Sequence, residues 1–296
     1  MKIGVPKEIK SQENRIGLTP ESVKILTSNG NEVMVENNGG FEAGFYNEQY
    51  KSAGAKIVDK AEDIFNDSEI IVKVKEPQSS EVKMIKENQI VFTYLHLAAA
   101  KELTKGLVDS KSVCIAYETV TDNNGRLPLL APMSAVAGRM SVQAGAHCLE
   151  KNQKGRGLLL GGAPGVDPGN VVILGGGVVG ENAAIIATGM KAKVHIVDKS
   201  EKRLNELSKK FGDLIIPKLS DETDLEKLIS ECDLLVGGVL IPGAEAPKLV
   251  TKKMLKNMKR GSVIVDVAID QGGCVETSKP TTFAEPTYIV DDIVHY

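Results

Sequence analysis

The segment "VVILGGGVVGENAAIIATGM", residues 171–190, places a run of glycines between an apolar stretch and a helical pattern. Gly175, Gly177 and Gly180 match the spacing G-x-G-x-x-G. The first glycine makes the turn, the second lets backbone approach a pyrophosphate, and the third permits close packing of helix on strand. The start of the helix then offers unpaired N–H groups to the phosphates. We therefore predict a dinucleotide-binding turn, with a purely structural turn as the alternative.

The next predicted strand, "AKVHIVD", ends in Asp198, 18 residues after Gly180. An acid at about this distance from the turn binds the ribose hydroxyls of the adenosine. Its charge favours NAD over NADP, because a 2′-phosphate would meet a carboxylate. Basic side chains follow closely and leave the strength of that preference open: Lys199, Lys202 and Arg203.

The composition narrows the class of protein. The chain has 296 residues, a hydrophobic fraction of 42% and a net charge of -3. This length suits about two domains, and the lack of a basic excess argues against a nucleic-acid partner. No apolar run approaches the roughly 20 residues that cross a bilayer, and the N-terminus lacks a signal-peptide core. We therefore expect a cytoplasmic protein with no membrane association.

The cysteines and histidines indicate neither a metal site nor a disulfide framework. The four cysteines form no CxxC pair, and the four histidines lack the spacing of metal ligands. We expect no metal and buried free thiols.

Short β-like runs alternate with helical patterns in both halves of the chain, which predicts parallel α/β sheets. The predicted strands are "KIGVP", "EVMVE", "EIIVKVKEP", "IVFTYLH" and "SVCIAYETV" in the first half, and "NVVILGG", "AKVHIVD", "DLIIP", "DLLVGGV" and "SVIVDVAID" in the second. Between them, the small residues of "APMSAVAGRMSVQAGAHCLE" predict a closely packed helix, and "GRGLLLGGAPGVDPG" predicts loop and turns. The expected fold is α/β with two doubly wound domains: a substrate domain over residues 1–128 and a Rossmann dinucleotide-binding domain over residues 129–296.

Three residues that can bind or activate a small acid follow strands of the first half. Arg15 lies in a polar loop after "KIGVP", Lys75 follows "EIIVKV", and His96 follows "IVFTYL". Ligands of open α/β sheets gather outside the carboxyl ends of the strands. An arginine fork suits a carboxylate, a lysine can polarise a carbonyl, and a histidine can carry protons near neutral pH. Together they predict a small 2-oxo or 2-amino acid as substrate.

Each of these residues also has a structural alternative. An arginine in a polar loop is commonly a solvated charge, and a histidine at a strand end is commonly a hydrogen-bonded structural residue. Lys73 and Lys75 share one face of a strand by two-residue alternation, so that face could simply be exposed to solvent.

Several segments resemble the alanine dehydrogenase family, and together they extend over nearly the whole chain. They are "MKIGVPKEIKSQENRIGLTPESV", "VKVKEP", "TYLHLAA", "AYETV", "PLLAPMSAVAGRMS", "GVDPGNVVILGGGVVG", "APKLV" and "VDVAIDQGGCVETSKPTT". The NAD-binding subunit of transhydrogenase shares the architecture, but "TYLH" and "DQGGC" look more like the dehydrogenase.

The resemblance implies a catalytic site. Arg15 would hold the substrate carboxylate and Lys75 the carbonyl oxygen. His96 would carry the proton, and Asp270, in "AIDQGG", would be the second catalytic group. Without the family, Asp270 is an ordinary loop acid.

The resemblance also implies which residues would surround the substrate methyl group and the cofactor NAD. Leu130 and Met133 would lie near the methyl group and limit its size. The positions expected to contact NAD, besides the three glycines, are Ser134, Val178, Val179, Asp198, Arg203, Ser220, Val239, Leu240, Val267, Ala268, Ile269, Asp270 and Lys279. The family usually has arginine at the last of these, so this contact is expected to be weaker but still charged.

The implied reaction is reversible: L-alanine, NAD and water give pyruvate, ammonia and NADH. The resemblance implies a homo-oligomer, commonly a hexamer. Family members continue for several tens of residues beyond "IVDDIVHY", with a segment that normally completes the first domain. We therefore expect the last strand of this chain to be an unpaired apolar edge. The alternatives to an active dehydrogenase are an NAD-binding or oligomerising module with little activity and a relative of the transhydrogenase subunit.

Overall fold

The computed structural model describes residues 1–97, 100–220, 222–239, 245–282 and 284–296, without the side chains of residues 222–224 and 270. Close contacts divide the chain into two compact units, Met1–Leu130 and Ala131–Tyr296, which we call unit 1 and unit 2. No helix among the described residues is long and apolar enough to cross a membrane.

Unit 1 is a six-stranded sheet with helices in the connections. Its strands are β1 (Lys2–Val5), β2 (Glu32–Glu36), β3 (Lys56–Val58), β4 (Ile70–Val72), β5 (Ile90–Thr93) and β6 (Val113–Ala116). Its helices are α1 (Pro20–Ser28), α2 (Asn47–Ser52), α3 (Ala61–Asp67), α4 (Ser79–Val82) and α5 (Lys101–Ser110). The strand order is β3-β2-β1-β4-β5-β6, and neighbouring strands are parallel. Because the order reverses between β1 and β4, unit 1 is doubly wound.

The start of α1 shows how local sequence sets an element of unit 1. Thr19 has an extended backbone, and its hydroxyl accepts a hydrogen bond from the N–H of Ser22 at 3.3 Å. Pro20 follows at the first helical position, where its missing N–H removes no helical hydrogen bond. The cap and the proline together begin the helix after the polar loop that contains Arg15.

The core of unit 1 lies on both faces of its sheet. Val33 and Val35 of β2 pack into one hydrophobic cluster, whereas Met34 between them packs into the other with Ile71 and Val91. Parallel strands that are buried on both faces have nearly continuous apolar sequences, which explains why these strands show no clean alternation.

Unit 2 begins with a long helix and continues as a seven-stranded sheet. Its helices are α6 (Ala131–Cys148), α7 (Val178–Gly189), α8 (Glu201–Phe211), α9 (Glu222–Ser230) and α10 (Lys252–Leu255). Its strands are β7 (Asn170–Leu174), β8 (Lys193–Asp198), β9 (Ile215–Leu219), β10 (Leu234–Gly237), β11 (Val263–Asp266), β12 (Tyr288–Val290) and β13 (Ile293–His295). The strand order is β12-β13-β11-β10-β7-β8-β9. The neighbours are parallel except for β12 and β13, which are antiparallel.

The small residues of α6 allow close packing, as the sequence predicts. A Cβ on Gly138 would lie 2.2 Å from the carbonyl oxygen of Val179 in α7. A Cβ on Gly145 would lie 2.4 Å from Cδ1 of Leu234 in β10. Larger side chains at these positions would force α6 away from α7 and from β10.

The predicted fold class is confirmed in both units. In unit 2, β7, β8 and β9 run to one side, and β10, β11 and β13 run to the other, which is the strand order of a Rossmann dinucleotide-binding fold. The sequence pattern did not predict the short strand β3 or the hairpin of β12 and β13. Cys148, Cys232 and Cys274 are buried free thiols, as expected, and Cys114 is a half-buried free thiol.

The expectation that the last strand is an unpaired apolar edge is wrong. β13 pairs with β11 on one side and with β12 on the other. Ile293 and Val294 are 0% and 1% exposed, because they pack into two different hydrophobic clusters of unit 2.

Candidate functional site

Each sheet has a switch point where the strand order reverses, and ligands of open α/β sheets bind outside the carboxyl ends of the strands at such a point. The switch lies between β1 and β4 in unit 1, and between β7 and β10 in unit 2. Charged residues follow β1 and β4, whereas glycines follow β7 and β10. Lys75 follows β4 at the first switch point, and Gly175, Gly177 and Gly180 follow β7 at the second.

The glycine turn after β7 has the shape that a pyrophosphate requires. Gly175 has φ +94°, a left-handed conformation that glycine adopts without steric cost. A Cβ on Gly180 would lie 1.8 Å from the carbonyl oxygen of Gly175, so a larger residue could not let α7 pack this close. Gly177 has open space where its Cβ would lie, and it precedes α7 without a side-chain cap. The first N–H groups of α7 therefore lack helical acceptors and can bind phosphate oxygens.

Asp198 ends β8 beside this turn. One carboxylate oxygen accepts a hydrogen bond from the N–H of Gly176 at 2.7 Å, and the other accepts one from the N–H of Ser200 at 2.8 Å. These two backbone donors fix the orientation of the carboxylate. Each oxygen keeps further acceptor capacity, which suits a ribose hydroxyl.

A buried acid organises the turn after β11. Asp266 is 5% exposed, and one of its oxygens accepts hydrogen bonds from the N–H of Ala268 at 3.2 Å and from the thiol of Cys274 at 3.4 Å. The other oxygen accepts one from the N–H of Val275 at 3.1 Å. The carboxylate thereby closes the loop that contains the backbone of Asp270.

The switch point of unit 1 contains a buried ionic triad. Lys73 is 1% exposed, and its Nζ lies 3.0 Å from Oε2 of Glu8 and 2.7 Å from Oε1 of Glu81. Burial raises the pKa of Glu81 above its usual value, although Lys73 opposes that shift. The alternative in which Lys73 lies on a solvent-exposed face is wrong, because two acids from other parts of unit 1 enclose the ammonium group.

Lys75 is held from its backbone by the same acid. Oε1 of Glu8 accepts hydrogen bonds from the N–H groups of Val74 at 2.6 Å and Lys75 at 3.3 Å. The hydroxyl of Thr93, at the end of β5, donates to the carbonyl oxygen of Lys75 at 2.9 Å. The main chain at Lys75 is therefore held by hydrogen bonds to residues that follow β1 and end β5. Its half-buried side chain extends from this fixed backbone.

Arg15 is not an isolated solvated charge. Its Nε lies 2.8 Å from Oε1 of Glu13, and its Nη2 lies 2.6 Å from Oε2 of the same carboxylate. The hydrogen bonds from Arg15 hold the pKa of Glu13 below its usual value despite burial. The guanidinium fork is thus already shaped around a carboxylate, which is the geometry of bidentate recognition.

His96 has an unusual backbone that a neighbouring acid holds in place. Its φ is +50°, in the left-handed region that non-glycine residues seldom adopt. Its N–H donates to Oε1 of Glu118 at 2.7 Å, and the N–H of Leu95 donates to the same oxygen at 3.1 Å. The ring stacks on Tyr94 with a centroid distance of 6.0 Å. Uncommon backbone conformations of this kind concentrate at functional sites.

Comparison with known proteins identifies the family. The family model described as alanine dehydrogenase/PNT, N-terminal domain, matches residues 4–137, and the one described as alanine dehydrogenase/PNT, C-terminal domain, matches residues 141–296. The chain belongs to the alanine dehydrogenase/PNT family. It is similar to an alanine dehydrogenase from Halomonas elongata, with 55% identity over 296 residues that cover 100% of this chain and 80% of the relative.

Two solved structures extend this comparison. An L-alanine dehydrogenase matches this family member with a TM-score of 0.94 and 52% identity, over 100% of this chain and 82% of that chain. A transhydrogenase from Sinorhizobium meliloti matches with a TM-score of 0.83 and 25% identity, over 100% of this chain and 85% of that chain.

Most remaining positions that the alanine dehydrogenase resemblance assigns to the cofactor follow strands of the unit 2 sheet or begin a helix. They are Val178 and Val179 at the start of α7, Ser220 after β9, Val239 after β10, and Val267, Ala268 and Ile269 in the short helix Val267–Gln271 after β11. Lys279 is exposed, with its Nζ 4.6 Å from the ring centroid of Tyr288 and its N–H donating to the hydroxyl of that tyrosine at 2.8 Å. Leu240 and the side chain of Asp270 lie outside the described residues.

Three further expected residues lie near the division between the units. Leu130 is the last residue of unit 1, and its N–H donates to the carbonyl oxygen of Leu127 at 3.2 Å. Met133 and Ser134 lie in the first turn of α6 and are half-buried. Within the part of the chain that the structure describes, no group of three or more histidines, cysteines and acids could hold a metal ion.

The sequence patterns missed the acids that hold the candidate residues in place. These acids are Glu8, Glu118 and Asp266, and each ends or follows a strand at the carboxyl edge of a sheet. That position was a usable signal, since "VPKE", "AYE" and "VIVD" each put an acid where a parallel strand stops. The partners of Glu8 and Glu118 could not be found in the same way, because these partners follow other strands of the sheet.

Proposed function

We propose that this chain catalyses the reversible, NAD-dependent oxidative deamination of L-alanine to pyruvate and ammonia. Identity to an L-alanine dehydrogenase of known structure is 52%, against 25% for the transhydrogenase, and this difference supports the dehydrogenase activity. The observation that carries the proposal is the charged switch point of unit 1, where Lys75 has a fixed main chain. Such a site suits a small substrate with a carboxylate.

The substrate is bound by unit 1, and we assign residues 1–128 as the substrate domain. Arg15 binds the carboxylate with its planar fork, in place of or beside Glu13. Lys75 contacts the carbonyl oxygen of pyruvate or the amine of alanine. Leu130 and Met133 limit the size of the side chain that the site accepts, so a methyl group is preferred.

NAD is bound by unit 2, for which the proposed domain is residues 129–296. The N–H groups at the start of α7 bind the pyrophosphate. Asp198 accepts hydrogen bonds from the adenosine ribose, and Lys279 and Ser134 contact the rest of the nucleotide. When bound, the nicotinamide supplies a hydride acceptor at the start of the reaction and a hydride donor in the reverse direction.

The protein's own residues control the protons of the reaction. The ammonium group of alanine must lose a proton before a hydride can leave Cα. Two nearby cations, Arg15 and Lys75, disfavour the charged form of that amine. His96 accepts and returns a proton at an imidazole nitrogen, and the carboxylate of Asp270 orients the water that attacks the iminium carbon. The two groups together release ammonia and leave pyruvate.

The protein is proposed to act in the cytoplasm as a homo-oligomer, specifically a hexamer, with no membrane or nucleic-acid partner. The family resemblance supports these expectations. Sedimentation velocity of the purified chain tests the oligomeric state, and species smaller than the hexamer would contradict it.

The test of the activity is alanine-dependent formation of NADH by the purified chain. We expect His96→Ala and Asp270→Ala each to abolish turnover while the affinity for NAD, measured by calorimetry, stays nearly unchanged. His147, an exposed histidine of α6 that pairs with Glu150 after the helix, offers a matched control, and His147→Ala should retain the activity. Binding of NAD without turnover by the unmodified chain would leave only an NAD-binding module. An equal loss of NAD affinity and rate in the two variants would show that their roles are misassigned.

A further inference from the structure

The basic residues after Asp198 raise a question about the nucleotide. Arg203, in the first turn of α8, is half-buried and contacts the glycine turn, whereas Lys199 and Lys202 are exposed. An arginine near the ribose-binding acid is what lets an α/β dinucleotide fold accept the 2′-phosphate of NADP. This chain therefore has a residue of the NADP-binding type beside an acid of the NAD-binding type.

We propose that Glu181 is a specificity-determining residue that holds Arg203 away from a 2′-phosphate and thereby makes the chain select NAD. The inference rests on the proposed function, because it concerns the nucleotide that the glycine turn binds. It adds a second acid to the discrimination expected from Asp198.

Arg203 and Asp198 lie on either side of one glycine. The N–H of Gly176 donates to Asp198, and the carbonyl oxygen of Gly176 accepts a hydrogen bond from Nε of Arg203 at 2.6 Å. A Cβ on Gly176 would lie 3.3 Å from Oδ2 of Asp198 and 3.4 Å from Cγ of Arg203. Any nucleotide whose ribose contacts Asp198 therefore passes close to Arg203.

The guanidinium group of Arg203 is already engaged on every side. Its Nη2 forms an ion pair with Oε2 of Glu181, its Nη1 lies 3.0 Å from Oε2 of Glu206, and its Nε contacts Gly176. The second oxygen of Glu181 forms an ion pair with Lys210. One carboxylate at the start of α7 thus binds the two cations of α8 that face it.

The ionised state of Glu181 stabilises its ion pair with Arg203. Burial acts to raise the pKa of its carboxyl group, but hydrogen bonds from Lys210 and Arg203 outweigh burial and bring the pKa below its usual value. Burial likewise opposes the charge of Arg203, and its bonds to Glu181 and Glu206 raise the pKa of the guanidinium. A 2′-phosphate would have to displace an ionised carboxylate from a bidentate donor before Arg203 could bind it. The exposed lysines are mobile, hydrated point charges and replace that fork poorly.

The test is the ratio of kcat/KM for NADP to kcat/KM for NAD, with L-alanine as substrate. We expect Glu181→Gln to raise this ratio about tenfold, because the change removes one charge that competes for Arg203 while it keeps the shape of the side chain. Glu201→Gln is the matched control: it removes an exposed acid from the first turn of α8 and should change the ratio less than about twofold. Adding Arg203→Gln to Glu181→Gln should return the ratio to that of the unmodified chain.

Affinities of NADH and NADPH from calorimetry give a second measurement that needs no turnover. A chain that binds NADH but produces none from alanine would contradict the proposed reaction and leave the test of Glu181 intact. An unchanged NADPH affinity in both Glu181→Gln and Glu181→Ala would overturn the inference, provided that their thermal melts match that of the unmodified chain. The inference would also be overturned if Glu181→Gln raised the NADP-to-NAD ratio no more than Glu201→Gln does. The same holds if the increase persisted when Arg203→Gln is added.

Discussion

The two units have the same reversal of strand order, but the residues at the reversal differ in chemical character. In each sheet the order reverses between the first and fourth strands of the unit, so each has a switch point with the same topology. At the switch of unit 1 the side chains are charged and Lys73 is buried between two acids. At the switch of unit 2, Gly175 and Gly180 have no side chains, so the backbone itself lines the turn.

The comparison teaches that topology decides where a ligand binds, and side chains decide which ligand binds. Backbone N–H groups exposed by glycines suit a phosphate, which is large and carries its charge on several oxygens. Charged side chains held by other side chains suit a small acid with a carboxylate at one end. Fold alone would not distinguish the two units.

Lys73→Met tests the charged switch and has the largest expected effect on stability. The change leaves Glu8 and Glu81 buried without a cation, and breaking a buried ion pair in this way costs about 3–5 kcal/mol. Urea titration followed by hydrogen exchange of peptides from residues 1–130 should show this loss in unit 1.

Lys111→Met is the matched control for that variant. The Nζ of Lys111 lies 3.7 Å from Glu87, and its side chain is 70% exposed, so the pair is screened by solvent. The control should lose less than about 1 kcal/mol. Equal stability of Lys73→Met and the unmodified chain would mean that the two buried carboxyl groups simply take up protons, and the charged character of the switch would then be dispensable.

Gly180→Ala tests the glycine switch, with a smaller effect. A Cβ 1.8 Å from the carbonyl oxygen of Gly175 must displace α7 from β7, and such overpacking costs about 1–3 kcal/mol. The affinity for NAD should fall with it, as measured by calorimetry.

Gly189, at the other end of α7, has open space around the position of its Cβ. Gly189→Ala should leave NAD affinity unchanged and can raise stability by up to about 1 kcal/mol, because alanine is the better helix former. Similar losses in both variants would show that α7 responds to helix composition and that close approach to β7 does not matter.

Opposite responses to pH sharpen the comparison and are the smallest effect. The folded-state pKa of Glu81 is raised, chiefly by burial. Its contribution to the stability of unit 1 is therefore present at low pH and is lost as pH rises through that pKa. The pKa of His295 is lowered, chiefly by burial, so its contribution to unit 2 is present above about 6.5 and is lost as pH falls. Thermal melts between pH 5 and 8 should lose the corresponding slope in Glu81→Gln and in His295→Gln. Slopes that persist in both variants would assign the pH dependence to other groups.

The sequence predicts the fold well because its signals are local. Apolar runs, turn residues and the spacing of Gly175, Gly177 and Gly180 all lie within short windows, and the strands after them follow at regular intervals. β3 was missed because its three residues, Lys56–Val58, are too few to show a pattern. β13 was expected to be an unpaired edge because the family resemblance implies a further segment after it, and no pattern in the sequence indicated β12, which pairs with it.

The candidate site is less predictable, since its geometry depends on residues that are far apart in sequence. A solvent-exposed face was a reasonable alternative for Lys73 because lysines are seldom buried, and nothing local to β4 indicates Glu8 or Glu81. His96 and Glu118 likewise follow two neighbouring strands, β5 and β6, and only the hydrogen bond between them shows the role of the acid. Residue types could suggest the chemistry, but the contacts that hold them required the structure.

The bond between Glu8 and the segment after β4 has a consequence for folding. Lys73 and Glu8 are 65 residues apart, whereas the glycine turn closes within a few residues. During synthesis Glu8 emerges long before its partner, so the buried triad of unit 1 can form only after β4 has docked beside β1. Contacts of such long separation form slowly, because the chain must close a large loop first. We expect the glycine turn to acquire its shape early and the proposed substrate site to be among the last parts of unit 1 to become ordered.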